Sequence, residues 1–193
     1  MSLDFNDPAV WITALVIVLV IVVGIVLLVA TRRKRKTAEL RRRFGSEYDL
    51  CLREDGSRRK AEARLLARVR RMERLKIRSL TPAELDRYRA DWEMLQSRFV
   101  DHPRAAVTEA DDLVIALMQT RGFPVGDFDQ RAADLSVDHA RLVQSYRSAN
   151  AIILRVGANQ STTEELRTAM IHYRAMLDEL LEVKTPIEQR TLV

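Results

Sequence analysis

Residues 9–30 form an unbroken apolar run in which Thr13 is the most polar side chain. At about 1.5 Å per residue this run makes roughly 33 Å of helix, enough to cross a hydrocarbon core of about 30 Å. The pattern predicts a transmembrane helix over residues 9–31. Asp7 is its N-cap, Pro8 its first helical residue, and Trp11 lies at the interface. Further along, strand-like alternation is missing and a helical period returns repeatedly. Residues 38–52 predict a helix with a weak point at Gly45, and Asp55-Gly56-Ser57 is a turn. Residues 58–75 then carry Ala61, Leu65, Val69 and Met72 on one narrow stripe, which predicts either a helical hairpin lying on another surface or a coiled-coil seam.

Four longer amphipathic helices follow. The first opens at Leu80-Thr81-Pro82-Ala83-Glu84-Leu85, which combines a capping box, a proline at the first position and a hydrophobic staple. Its expected buried face is Leu85, Tyr88, Trp92, Leu95 and Phe99. The second starts at His102-Pro103, buries Ala106, Ala110, Leu113, Val114, Leu117 and Met118, and stops at Arg121-Gly122-Phe123-Pro124. Residues 125–135 read as a connector with a short helical turn. Ser136 is the expected cap of the third, which turns Leu142, Val143, Tyr146, Ala149, Ile153 and Val156 inward and closes at Gly157. The fourth begins at Ser161 or Thr162 and buries Leu166, Ala169, Met170, Tyr173, Met176, Leu177, Leu180 and Leu181, with Thr185-Pro186 as its stop. The fold class is therefore all-α. Its expected domains are a short outer N-terminus (1–8), a transmembrane helix (9–31), a basic juxtamembrane helical arm (32–78), a bundle of about four helices (79–183) and a loose tail (184–193).

Charge adds an orientation. The formal net charge of +5 is unevenly spread: residues 32–78 hold 19 basic and 7 acidic side chains, whereas residues 79–193 hold 13 basic and 18 acidic. Within residues 32–43 the cations Arg32, Arg33, Lys34, Arg35, Lys36, Arg41, Arg42 and Arg43 face only Glu39, so the positive-inside rule sets the C-terminal side in the cytoplasm and the N-terminus outside. These eight are the expected contacts with anionic inner-leaflet lipids. A cleaved secretory signal is excluded by the length of the run, the acidic N-terminus and the poor cleavage site at Ala30-Thr31-Arg32. Residues 53–78 lack the interleaved aromatics that stack bases, which disfavours nucleic acid as the partner. Gly24 has no small residue four positions away, so the close-packing dimer motif is absent.

Several segments resemble a family of uncharacterised bacterial single-span membrane proteins with a cytoplasmic helical domain. They are residues 43–48 (RFGSEY), 99–103 (FVDHP), 121–124 (RGFP), 131–139 (RAADLSVDH), 146–147 (YR), 163–167 (TEELR) and 172–174 (HYR). The family pattern has proline where Ala140 stands and histidine where Asn150 stands. The resemblance implies a single-pass protein of the bacterial inner membrane and brings no activity with it.

Catalytic signatures are weak. Cys51 is the only cysteine, which excludes an intrachain disulfide. His102, His139 and His172 show no i,i+4 pair of the kind that ligates zinc on a helix, and no phosphate-binding glycine loop or nucleophile elbow occurs. No metal or cofactor is expected. The one candidate polar cluster is Asp134, Asp138, His139, Tyr146 and His172, with Asp138 placed in a helix first turn. Arg121, Arg131, Arg147, Arg167 and Arg174 are expected to hold helices in register through Asp111, Asp112, Asp134 and Asp138. The leading expectation is a non-enzymatic, membrane-tethered scaffold that binds a protein partner or self-associates. The alternatives are a ligand-binding or enzymatic domain around Asp138, His139 and His172, and a nucleic-acid tether working through the basic arm.

Overall fold

The computed structural model describes residues 8–124 and 126–182; in the first helix the side chains described are those of residues 15, 19–32 and 34 onward. The chain divides into two compact units, Met1–Arg42 and Arg43–Val193. Helix α1, Pro8–Phe44, runs through the first and contributes its last two residues to the second. Pro8, the expected first helical residue, is helical and is the first described residue; the expected cap Asp7 lies outside the described residues. From Leu19 to Val29 every large apolar side chain of α1 is exposed, as is Leu15. Among the described residues no helix is long and apolar enough to cross a membrane.

The second unit contains α2 (Ser46–Asp55), α3 (Arg58–Met72), α4 (Pro82–Arg98), α5 (Pro103–Thr120), α6 (Phe128–Leu135), α7 (Ala140–Gly157) and α8 (Thr163–Glu182). Helices α5, α7 and α8 share the central core, and α4 packs along α5. The four main helices are those the periodicity predicts. Of the eight apolar positions predicted for the last helix, Leu166, Ala169, Met170, Tyr173, Met176, Leu177 and Leu180 are buried, and Leu181 is half-buried. The predicted face of α4 narrows to Tyr88, Trp92 and Leu95, since Leu85 and Phe99 lie at its half-exposed ends. In α5 Val107 is buried and Leu113 only half so, a small rotation of the inward stripe.

Gly45 separates α1 from α2 with φ at 52°, a left-handed conformation that a residue with a Cβ enters only at a cost. The segment 43–78 is not a separate arm. Helices α2 and α3 form a hairpin, the first of the two arrangements expected, and it lies on α6 and α7 within the same compact unit as the bundle. The expected boundary at residue 78 is therefore corrected to Arg42/Arg43. The cause is a set of ties to the bundle, Glu47 of α2 to Arg147 of α7 and Arg71 of α3 to Asp134 of α6, beside the buried Phe44, Tyr48, Cys51, Ala61 and Leu65.

Two further expectations change at the α6–α7 corner. The connector holds two full turns, α6, capped by the Asp127 side chain accepting from the Gln130 N–H at 2.8 Å. Ser136 closes α6 rather than opening α7: its Oγ donates to the Ala133 carbonyl at 2.6 Å, and its backbone N–H bonds back to Ala132. Ser136 and Val137 are both buried, so the chain dips into the core before α7 starts at Ala140, a first-turn position that proline also fits. Asp138 consequently lies outside the helix.

Candidate functional site

The residues of the predicted polar cluster do not converge. The Asp138 carboxylate accepts from an Arg43 guanidinium nitrogen at 3.1 Å, and both are largely exposed. Arg43 also donates through Nε to the Val137 carbonyl at 3.0 Å, so this expected lipid contact is engaged inside the second unit. His139 Nδ1 lies 3.0 Å from Glu179 Oε1, linking the start of α7 to α8. Tyr146 is fully buried and its hydroxyl accepts from Arg131 Nε at 2.8 Å. Among the described residues no hydrogen bond joins His139 to His172, and no group of His, Cys, Asp or Glu is placed to hold a metal ion.

Asp134 alone belongs to a larger assembly. It is almost fully buried and accepts from Arg71 Nε at 3.0 Å and from Gln130 Nε2 at 2.9 Å. Burial pushes its carboxyl above the usual aspartate range, while Arg71, Gln130 and Arg68 act in the opposite sense. Beside it, Glu47 of α2 is buried between two guanidinium groups: Arg147 Nε donates at 2.9 Å from α7 and Arg68 at 3.3 Å from α3. Arg68 also donates to Ser136 Oγ at 3.1 Å. Glu54 pairs with Arg64, which holds its carboxyl below the ordinary glutamate value. Of these groups, Glu54, Arg64, Arg68, Arg71, Gln130 and Arg147 line a polar cleft of about 550 Å³ where α3 faces the α6–α7 corner.

The sequence places Arg64, Arg68 and Arg71 at helical spacing beside the buried stripe of α3, which explains how one helix supplies three of the cations. Each inner carboxylate already has a guanidinium partner, so the cleft locks the hairpin onto the bundle; neither Glu47 nor Asp134 is left open for proton transfer. Sequence reasoning missed Glu47, Arg68 and Arg71. The signal present but unread was an acid at the start of one basic helix opposite cations spaced along the next.

The expected arginine–aspartate register also takes a different form. Arg147 pairs with Glu47 and lies 3.8 Å from Asp129; Arg167 pairs with Glu164 and Arg174 with Asp178. Arg131 donates to Tyr146 and, at 2.6 Å, to the Gly126 carbonyl. Asp111 instead accepts from the Tyr173 hydroxyl at 3.0 Å, and burial raises the pKa values of both groups. Arg121 is completely buried and donates to the Leu180 carbonyl, so it caps the last turn of α8; burial lowers its pKa.

A second concavity is apolar. Trp92 and Phe99 of α4 face Met170 and Ile171 of α8 across a groove of about 330 Å³, flanked by Arg167 and Arg174. Ile171 is 64 % exposed, and the buried Trp92 Nε1 has no hydrogen-bond partner. The Arg174 guanidinium sits 5.9 Å from the Trp92 ring centroid.

Comparison with protein-family models, curated proteins and solved structures gives no match.

Proposed function

We propose that this chain is a membrane-tethered interaction protein, anchored by residues 9–31 in a bacterial inner membrane with its helical unit in the cytoplasm. The observation that carries the reading is the apolar surface of α1. A helix that is apolar on all faces needs a non-aqueous surrounding, and from Leu19 to Val29 its large side chains are exposed among the described residues. The basic residues 32–36 follow at once, as expected of a cytoplasmic flank, and the residues shared with single-span bacterial membrane proteins point the same way.

The helical unit supplies contact surface rather than a reaction centre. Its buried acids are engaged by arginines, whereas the α4–α8 groove offers exposed apolar atoms flanked by Arg167 and Arg174. A partner side chain combining an apolar body with a nearby carboxylate fits that groove.

The tether is tested by washing cell membranes with alkaline carbonate. The chain should stay in the membrane pellet, and its release into the supernatant would overturn the reading. A photo-crosslinking residue at Ile171 should give a discrete adduct that the same probe at the exposed Leu154 does not give. Identical patterns at the two positions would remove the groove from the proposal.

A further inference from the structure

We propose that the C-terminal end of α3 docks on anionic phospholipid headgroups through Arg70 and Arg74, bringing the helical unit down against the leaflet. The proposal rests on the membrane tether argued above. Three observations carry it.

The first is a division of labour along one helix. Arg64, Arg68 and Arg71 point toward the body and meet Glu54, Glu47 and Asp134. Arg70 in the last turn of α3 and Arg74 just past its end are exposed, about a quarter turn round from those three, and have no ion pair or hydrogen bond among the described residues. In a unit so rich in arginine–carboxylate pairs, two adjacent cations left to solvent form a surface ready for an outside anion.

The second is the shape between them. Ala67, Arg70, Arg71, Arg74 and Leu75 line a shallow hollow of about 650 Å³ that no carboxylate enters. A lining that combines apolar side chains with guanidinium groups suits a phosphate ester joined to a hydrocarbon body. Arginine can grip such a phosphate with two parallel N–H donors.

The third is position within the unit. Helices α2 and α3 run antiparallel about the turn at Gly56, and Arg68 of α3 lies opposite Glu47 near the start of α2. Residues 70–74 therefore lie at the same end of the hairpin as the start of α2. This is the end of the unit at which the chain arrives from residue 42. That end is joined to the proposed anchor through residues 32–42 alone, which makes anionic lipid the phosphate most available to it.

The test uses the full chain in lipid nanodiscs, with a fluorophore on Ala67→Cys and nitroxide-labelled headgroups as quencher. Ala67 is exposed, whereas the native Cys51 thiol is buried and does not compete for the label. Quenching should be stronger with phosphatidylglycerol present than with phosphatidylcholine alone, and should fade as salt is raised. Each of R70Q and R74Q should weaken docking about fivefold, the effect of roughly 1 kcal/mol per arginine near an anionic leaflet. Neither side chain has a partner to lose, so melting curves should be unchanged and confirm folding.

Equal quenching on the two lipids, or quenching indifferent to R70Q and R74Q, overturns the proposal while leaving the tether intact. Salt-sensitive capture of a short RNA or DNA duplex without lipid-dependent quenching overturns it in favour of nucleic acid. Inorganic phosphate competing at millimolar concentration against the lipid supports the phosphate chemistry, and its failure at any concentration overturns that part. Release of the chain by carbonate overturns both this proposal and the reading beneath it.

Discussion

Glu47 shows how one buried carboxylate ties three helices. It sits on α2, is nearly inaccessible, and accepts from Arg68 on α3 and Arg147 on α7. Removing one partner of a buried ion pair leaves the other charges poorly solvated, a cost of about 3–5 kcal/mol, and the partial exposure of Arg147 puts this case at the lower end. Glu47→Ala should therefore destabilise the helical unit by about 3 kcal/mol in denaturant melts of the detergent-solubilised chain. A double-mutant cycle with Arg147→Ala should show a coupling of about 1–2 kcal/mol. Strict additivity would mean that α7 is held to the hairpin by packing alone. Asp134 behaves differently. Burial raises its pKa above the unfolded value, so the folded chain holds this proton to higher pH than the unfolded chain does, and the resulting contribution to stability is full below the unfolded pKa and lost as pH rises through the folded one.

At the level of elements, the starts and stops that rest on local chemistry were readable before any coordinates. Thr81 and Glu84 form both halves of the capping box: Thr81 Oγ1 accepts from the Glu84 N–H at 3.3 Å, and the Glu84 carboxylate accepts from the Thr81 N–H at 2.9 Å. Thr162 and Glu165 repeat it at α8, the second of the two caps anticipated there. Arg78 and the box together depress Glu84 to about 2. Because the folded pKa is lowered, the stability it contributes is present above the unfolded value near 4.5 and is lost as pH falls toward 2. Glu84→Gln should melt below the parent at pH 7, and the two should draw together near pH 2.5; a constant gap would show that charge plays no part. What could not be read was anything set by distant contacts. Ser136 offers the same cap chemistry as Thr81, but Val137 is drawn into the core behind it, so α7 starts three residues later than expected. The hairpin's place in the body was equally hidden, since Glu47 and Arg147 are a hundred residues apart and neither spacing nor charge count connects them. Gly122 illustrates both kinds of information. Its role as a helix stop is local, but its φ of 95° and the 2.6 Å between an added Cβ and the Lys76 carbonyl oxygen depend on the strap that crosses from α3. That strap is pinned by the Arg78 N–H donating to the Arg121 carbonyl at 2.9 Å. Gly122→Ala should lower stability by about 1–3 kcal/mol and loosen the strap, visible as faster amide exchange at Arg78; unchanged exchange there would show that the turn relaxes without the strap.

For the whole molecule the decisive question is which solvent each part meets. Residues 9–30 are suited to hydrocarbon, residues 32–36 to an anionic surface, and the unit from Arg43 onward has its own buried core and a surface rich in ion pairs. On the reading proposed above, one segment partitions into lipid while the rest stays in water, and the cationic flank chooses the side. The lone thiol looks like a convenient reporter of that side, but Cys51 has no solvent exposure and would escape a water-soluble maleimide in either compartment. An exposed position is needed instead. Ser97 faces solvent near the end of α4 and bonds only to the Met94 carbonyl of its own helix, so Ser97→Cys should leave the fold undisturbed. In intact spheroplasts a membrane-impermeant maleimide should miss this cysteine, and after lysis it should label it fully. A second cysteine at Ser2, before the apolar run, should show the reverse accessibility and react without lysis. If both react only after lysis, the N-terminus does not cross; if Ser97→Cys reacts in intact spheroplasts, the helical unit lies outside and Arg32 to Lys36 do not set its orientation.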